Sequence, residues 1–506
     1  MSYTVSKLKS LALSLLFVLS IASVTITIAE GNFRVGDFSR LSKQFAAPSE
    51  DILILTIQGA FNSLMMSVVG ATIGIVFALV GAALLFHLRN RRLVFSTFNA
   101  VLVFARTIPD LVIALMLVAV LGIGPQVGAL TLALGSFAVM TTMTLDATGV
   151  SENAHSNQLI RSGVPRWKVF ALVLVPESWQ ELLKIFLFRL EIMLRLSAYL
   201  GIIGAGGLGQ VIYEAIANFR FTDALIAISV LSFIVLGLEA ISQIFSNNNW
   251  SLSKLKSFTS GLTIFCSISV VILFIQNPLS LSASRLSNII ARLLKPDFES
   301  YAGEIVALTI DSVAIAITAT SGAFIIGLTL AFLAARKFSP LGRVSRPIFL
   351  GLFSGLRSVP IVVWAIVLVI VVGFGVQAGL MASILGLSLF FGKYLQPIFS
   401  RASFPETDAL LLQGGSKFVV FLIAAFYSLR SATSSALALL ADVAVRYSVV
   451  LGLVGAGGIG SLLLGAAKAF DYETLSATLI VVVVVIVAIR GLILQRSSGA
   501  LNGTKF

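Results

Sequence analysis

The sequence predicts an all-α, polytopic membrane protein of about twelve transmembrane helices, arranged as two parallel six-helix repeats. Three observations carry this. Hydrophobic residues make up 58% of the 506 and charged residues only 11%, with a mean hydropathy of +1.03, whereas soluble domains carry about 25% charge. Uncharged or nearly uncharged runs long enough to span a bilayer as helices recur along the whole chain. Motifs of the first half also return in the second at one constant offset.

Composition excludes a water-soluble enzyme. The single cysteine, Cys266, rules out a disulfide framework, a thiolate zinc site and an iron–sulfur cluster. His87 and His155 are the only histidines and leave little for metal or acid–base chemistry. The formal charge of +13 would suit nucleic acid in a soluble protein. In a membrane protein, basic residues report topology first.

In the first half the expected spans are Leu11–Ile28, Phe61–Phe86, Leu93–Leu121, Val127–Leu145, Trp179–Ile203 and Ala224–Ile244. The second half offers Phe258–Ile275, Ile305–Ala335, Pro347–Phe374, Val376–Phe399, Phe418–Val450 and Leu475–Ile489. Ile52–Phe86 runs 35 residues without a charge, so its first turns are expected along the interface. The loop at His87–Leu93 carries three arginines and no acid, and Arg336, Lys337, Arg343 and Arg346 cluster without one. Glu30–Asp51 and Gln276–Glu304 balance acid against base. The basic loops are therefore expected in the cytoplasm, with both termini. For Leu8–Ala29 a cleaved signal peptide is the alternative; its counterpart Phe258–Ile275 lies mid-chain, and symmetry favours retaining both.

Arg106-Thr-Ile-Pro109 recurs as Arg357-Ser-Val-Pro360, Gly122-Ile-Gly124 as Gly373-Phe-Gly375, and Gly201–Gly209 as Gly452–Gly460, each 251 residues on. Phe219 and Phe470 also correspond. A tandem duplication follows: residues 1–245, a polar cytoplasmic linker at 246–257, and residues 258–506. An even number of crossings per half makes the repeats parallel.

The glycine clusters Gly204, Gly206, Gly207, Gly209 and Gly455, Gly457, Gly458, Gly460 match the dinucleotide pattern GxGxxG. That reading needs a preceding strand and a βαβ unit, and an apolar helix stands there instead. Two readings remain open. One is close helix packing; the other, favoured by the glycine density, is a helix break tolerated where backbone faces protein or a water-filled path.

After the fourth span of each half comes a short polar loop. It holds Asn157, Gly163 and Pro176 in the first, and Asp408, Ala409, Gly414 and Tyr427 in the second. Its glycine–proline spacing resembles the EAA loop of ABC-importer permeases; the alternative is an ordinary amphipathic loop. Together with the Arg-Pro segments, the GxG hairpins, Lys295-Pro-Asp-Phe298 and Gly455–Gly460 followed by Phe470-Asp-Tyr472, the chain resembles a phosphonate-type ABC importer permease over nearly its whole length, as two permease units fused. The resemblance implies a type I importer fold in a bacterial inner membrane. It also implies coupling helices that meet two copies of a cytoplasmic ABC ATPase, ATP and Mg on that partner, and an extracytoplasmic substrate-binding protein. Departures are Asn157 in place of the glutamate, Tyr427 in place of the proline, and Ile361 opposite Asp110.

Charges inside spans cost on the order of 3 kcal/mol at a helix centre and so mark function or pairing. Arg106 lies about 20 Å along its helix from Leu93, and Arg357 matches it. Both precede a proline that can kink the helix. For these two, lining an anion path and pairing with a distant acid are both open. Glu191/Arg195 and Asp442/Arg446 are matched i, i+4 pairs, read as internal ion pairs or as part of the substrate path. Arg189 and Arg430 lack counterparts, and Lys393 can snorkel.

No G-x-x-x-x-G-K-[ST] occurs. ATP hydrolysis would therefore belong to another subunit; no catalytic residue, metal site or nucleic-acid partner is expected in this chain. The function expected from the resemblance is the membrane subunit of an importer for phosphonate or a related phosphorus oxyanion, phosphite or phosphate. The alternatives are an ion-coupled secondary transporter, with Glu191, Asp311 and Asp442 as candidate proton carriers, and an integral membrane enzyme.

Overall fold

In hydrocarbon a backbone amide finds no water, so a lipid-exposed segment must satisfy its peptide groups internally. The computed structural model describes residues 47–89, 91–106, 108–150, 154–247, 252–276, 283–342, 344–372, 375–401, 405–452 and 457–501, and among them no strand occurs. The expected first span, Leu11–Ile28, lies outside the described residues.

The first half builds α1 (Ile52–Leu88), α2 (Arg92–Ala105), α3 (Asp110–Leu121), α4 (Pro125–Val150), α5 (Ala154–Arg161), α6 (Trp179–Ile202), α7 (Leu208–Ala217) and α8 (Phe221–Asn247). The second builds α9 (Leu252–Gln276), α10 (Ala283–Leu293), α11 (Ala302–Ala334), α12 (Ser345–Ser358), α13 (Ile361–Val372), α14 (Val376–Arg401), α15 (Pro405–Leu412), α16 (Arg430–Gly452), α17 (Ile459–Lys468) and α18 (Tyr472–Leu501). Among the described residues, seven helices are long and apolar enough to cross a membrane as single rods: α1, α4, α8, α9, α11, α14 and α18. The 24-residue α6 and 23-residue α16 have the length but carry the charges.

The third and ninth spans are each two half-helices. Pro109 sits in extended backbone at φ −62°, ψ 137° between α2 and α3, and Val359 at φ −71°, ψ 123° does the same between α12 and α13. Proline offers no N–H and disfavours α geometry in the residue before it, so one helix stops and a second starts. Helices also enter the expected linker from both sides, since α8 runs to Asn247 and α9 starts at Leu252.

The chain divides into two compact units, one over residues 43–291 and one containing residues 292–506. In the first, α1 lies along α4, where Gly70 faces Leu132 and Ala129, Gly74 faces Met140, and Gly81 faces Thr141. In the second, α11 lies along α14 through Gly322 against Ile384 and Gly327 against Phe391. Small residues let membrane helices approach closely. The packing boundary does not follow the repeat boundary: Cys266 and Leu273 of α9 join Met65, Val68 and Met193 in the core of the first unit.

A Cβ on Gly70 would stand 2.8 Å from Leu132 Cβ and 3.0 Å from the Ala129 carbonyl. Gly70→Val should therefore destabilise the protein by about 1–3 kcal/mol, read as a lower thermal midpoint in detergent. Gly261→Val, whose site is open, should leave that midpoint unchanged.

Candidate functional site: paired loops, glycine breaks and intramembrane charges

At one end of the spans, α5 and α15 finish identically. Gly163 takes φ +89° and Gly414 φ +83°. The Gly163 N–H donates to Ile160 O at 3.2 Å and Val164 N–H to Leu159 O at 3.1 Å; Gly414 N–H donates to Leu411 O at 3.2 Å and Gly415 N–H to Leu410 O at 2.9 Å. This is a Schellman helix end, which favours glycine because a Cβ clashes at that φ. Nothing lies within 4 Å of a Cβ built at either glycine. Asn157, Gly163, Ala409 and Gly414 are all exposed. Asp408 pairs with Lys337, just beyond α11.

Each loop continues into a helical run containing a π turn, Phe170–Leu174 and Ala424–Ser428. Val175 N–H closes the first onto Phe170 O, and Leu429 N–H closes the second onto Ala424 O at 2.7 Å. Pro176 follows the first turn, exposed, and Tyr427 lies inside the second. At the 251-residue offset the second π turn lies three residues later than the first, so the change from Pro176 to Tyr427 accompanies a shift of the turn. Aromatic rings anchor both runs: Phe170 meets Phe86 at 5.8 Å between centroids, and Phe421 meets Phe399 at 4.5 Å and Phe338 at 5.5 Å.

The glycine clusters lie at the far end of the spans. The 24 residues of α6 lead into the first break, after which α7 starts at Leu208. Gly204, Gly206 and Gly207 take φ of +95°, +82° and +79°, and Gly457 and Gly458 +77° and +81°; Gly455 lies outside the described residues. Gly209 and Gly460 seat the second helix of each break directly on the backbone of Ala198 and Val449. The Gly124 N–H of the α3–α4 hairpin donates to Gly204 O at 3.1 Å.

Two serines unmarked in the sequence reading hold these breaks. Ser63 Oγ accepts the first α7 amide, Leu208 N–H, at 2.9 Å, and Ser312 Oγ accepts that of α17, Ile459 N–H, at 2.8 Å. The short helices then end on Phe219 at φ +58° and Phe470 at φ +55°, a conformation rare for a bulky side chain. Nearby, hydrogen bonds from the Ser300 side chain and amide hold the Asp297 carboxyl below the usual carboxylate range.

Within the spans, Arg106 caps α2 and its Nη1 donates to Thr142 Oγ1 of α4 at 3.4 Å. Arg357 sits half-buried in the last turn of α12. Both matched pairs are closed inside their own helices: Arg195 bonds Glu191 and approaches Glu239 of α8 at 3.9 Å, and Arg446 meets Asp442 at 2.7 Å. The first half also buries Arg189, which bonds Ser136. Asp110 lies over Gly135 so closely that a Cβ there would collide with its carboxylate. In the second half the corresponding glycine, Gly386, faces Ile361 instead. Among the described residues no group of three histidine, cysteine or acidic side chains is arranged to hold a metal.

A duplicated, all-helical membrane protein with matched broken spans and a matched pair of exposed loop helices is a membrane transport component of the permease class. The chain belongs to the family described as binding-protein-dependent transport system inner membrane component, which matches it twice, over residues 70–275 and 327–501. It therefore holds two permease units in one chain. It is 28% identical over 446 residues to the phosphate-import permease protein PhnE of Mycolicibacterium smegmatis, covering 86% of this chain and 83% of that one. It is 32% identical over 204 residues to the phosphite transport system permease protein PtxC of Stutzerimonas stutzeri, covering 38% of this chain and 70% of that one. A structure titled as an inward-facing conformation of the MetNI methionine ABC transporter matches at 23% identity and a TM-score of 0.36, over 39% of this chain and 98% of that chain.

Removing the serine caps should loosen the breaks. Ser63→Ala and Ser312→Ala are each expected to cost about 1 kcal/mol and to speed hydrogen exchange at the Leu208 and Ile459 amides, respectively. Unchanged exchange at both would contradict the capping role.

Proposed function

We propose that this chain is the membrane subunit of an ATP-driven importer of a phosphorus oxyanion: phosphate, phosphite or a phosphonate. Similarity to the phosphate-import permease across both halves carries the substrate class. In this reading α5 and α15 are the coupling helices. They face the cytoplasm with both termini, and each meets one copy of an ABC ATPase that holds ATP and Mg. A substrate-binding protein delivers the anion at the opposite face, by the glycine breaks.

Physical features support these roles. The two Schellman ends present equivalent exposed helices, and ring packing ties each following π run to neighbouring helices. A push on either loop would thus reach the spans through side chains already in contact. Alternating access also requires that ATP and anion bind the two states unequally; the unwound Arg-Pro segments supply backbone able to move without breaking a continuous helix. Arg106 and Arg357 stand at those segments, and guanidinium groups suit phosphoryl oxygens through forked donors. The Glu191–Arg195 and Asp442–Arg446 pairs are neutralised locally, which suits bracing the spans more than carrying substrate.

Two experiments test this. Asn157→Arg combined with Ala409→Arg alters exposed helix positions without touching the helix ends. ATPase co-purification should be lost while the chain still inserts, and intact assembly would refute the coupling assignment. For the pathway, Arg106→Gln and Arg357→Gln should each lower uptake by about tenfold or more, about 1.4 kcal/mol in the barrier, in complexes that still hydrolyse ATP. Normal uptake in both variants would remove the arginines from the path.

A further inference from the structure

The two loop helices share a backbone and differ in what they expose. Over residues 154–176, from the start of α5 to Pro176, the sequence holds Arg161, Arg166 and Lys168 and no acid. The matching residues 405–427 hold two acids, Glu406 and Asp408, and one cation, Lys417. Lys417 is the match of Arg166, and Lys168 lies over the Trp167 ring at 5.5 Å, so Arg161 is the charge that sets the first loop apart. It is the last residue of α5, and the last residue of α15 is its match, Leu412. Leu412 is 89% exposed, the most exposed large apolar side chain among the described residues. One turn earlier, exposed Gln158 is matched by exposed Ala409.

Helix periodicity fixes where these residues point. Ser156 is buried and Leu159 and Ile160 are half-buried, and Thr407, Leu410 and Leu411 repeat the pattern. Residues at i, i+3 and i+4 share a face. In α5 that face meets the spans, since Ile160 packs against the cluster of Ala82, Phe86, Phe170 and Leu174. Arg161 and Leu412 lie about 150° round their helices from the middle of that face. Lipid lies beside the spans, whereas these two side chains point away from them. What covers Leu412 is therefore a protein surface.

We propose that the two loops hold the ATPase by different physics: α15 through apolar burial of Ala409 and Leu412, α5 through an ion pair between Arg161 and a carboxylate of the partner. The proposal rests on the coupling-helix reading and adds the chemistry of the partner's surface, an apolar pocket rimmed by acid. Leucine fills such a pocket. Arginine lays its methylenes along it and carries the guanidinium to the rim. Two copies of one ATPase, with identical pockets, can thus sit on both loops. The two attachments then answer salt differently, because ion pairs near a surface are screened and apolar contact is not.

The test uses the chain in a Cys266→Ala background with a photo-crosslinking probe on Ser162→Cys or Gln413→Cys, matched exposed positions beside the two residues. The labelled chain is then assembled with its ATPase. Raising sodium chloride from about 0.05 M to about 0.5 M should lower cross-linking to the ATPase about fivefold from the first loop and by less than about twofold from the second. Arg161→Leu should make the first loop as salt-tolerant as the second, and Arg161→Lys should keep its salt response. Leu412→Ala should weaken the second attachment to the same extent at both salt concentrations. Equal salt responses at the two loops, or a response that survives Arg161→Leu, would overturn the proposal and leave the coupling-helix reading standing. Cross-links to lipid alone, or none to the ATPase from either loop, would overturn that reading and the proposal with it.

Discussion

A peptide group left unpaired in an apolar medium costs several kcal/mol, and that constraint shapes every interruption in this membrane protein. Helices stop at the Arg-Pro segments, at the glycine clusters and at the loop helices, and at the last two kinds of stop freed amides find partners. The loop helices close on the Schellman bonds of Gly163 and Gly414. The glycine breaks close on Ser63 and Ser312. The runs after the loops avoid a stop by widening to a π turn. Each solution appears in both halves, because a duplicated chain inherits the same unsatisfied groups in the same places.

Much of this was legible in the sequence. Eleven of the expected spans coincide with described helices or helix pairs, since long uncharged runs admit few other structures. The glycines were visible as breaks because their density exceeded what packing needs. What stayed hidden depends on register and on tertiary contact. Ser63 lies 43 residues before Arg106, and Ser312 lies 45 before Arg357, so a gap-free comparison at 251 never aligns them. Allowing two extra residues in the loop between α11 and α12 would have paired the caps. The π turns carry no residue signature: Pro176 lies just beyond the first turn, whereas Tyr427, its match in sequence, lies inside the second. The association of α9 with the core of the first unit follows from packing and leaves no trace in the repeat pattern.

Departures from the repeat carry as much physics as its agreements. Arg189 is buried against Ser136 and feels the charge of half-buried Asp110 in the first half; Ile361, Leu387 and Leu440 occupy the corresponding positions in the second. A half-satisfied version would be worse than either, because a buried charge without its partner is strongly destabilising. The three positions therefore have to change together, and here they have. The small residue beneath them, Gly135 or Gly386, is kept because either Asp110 or Ile361 needs the same space.

Fusion is what permits that divergence. In a symmetric dimer of single permease units, any substitution appears on both sides of the axis. One chain with two units escapes this restriction. Asp110 and Ile361, or Thr142 and Lys393, can then differ, so the polar packing around Arg189 in the first half and the apolar packing at the corresponding positions in the second coexist in one chain.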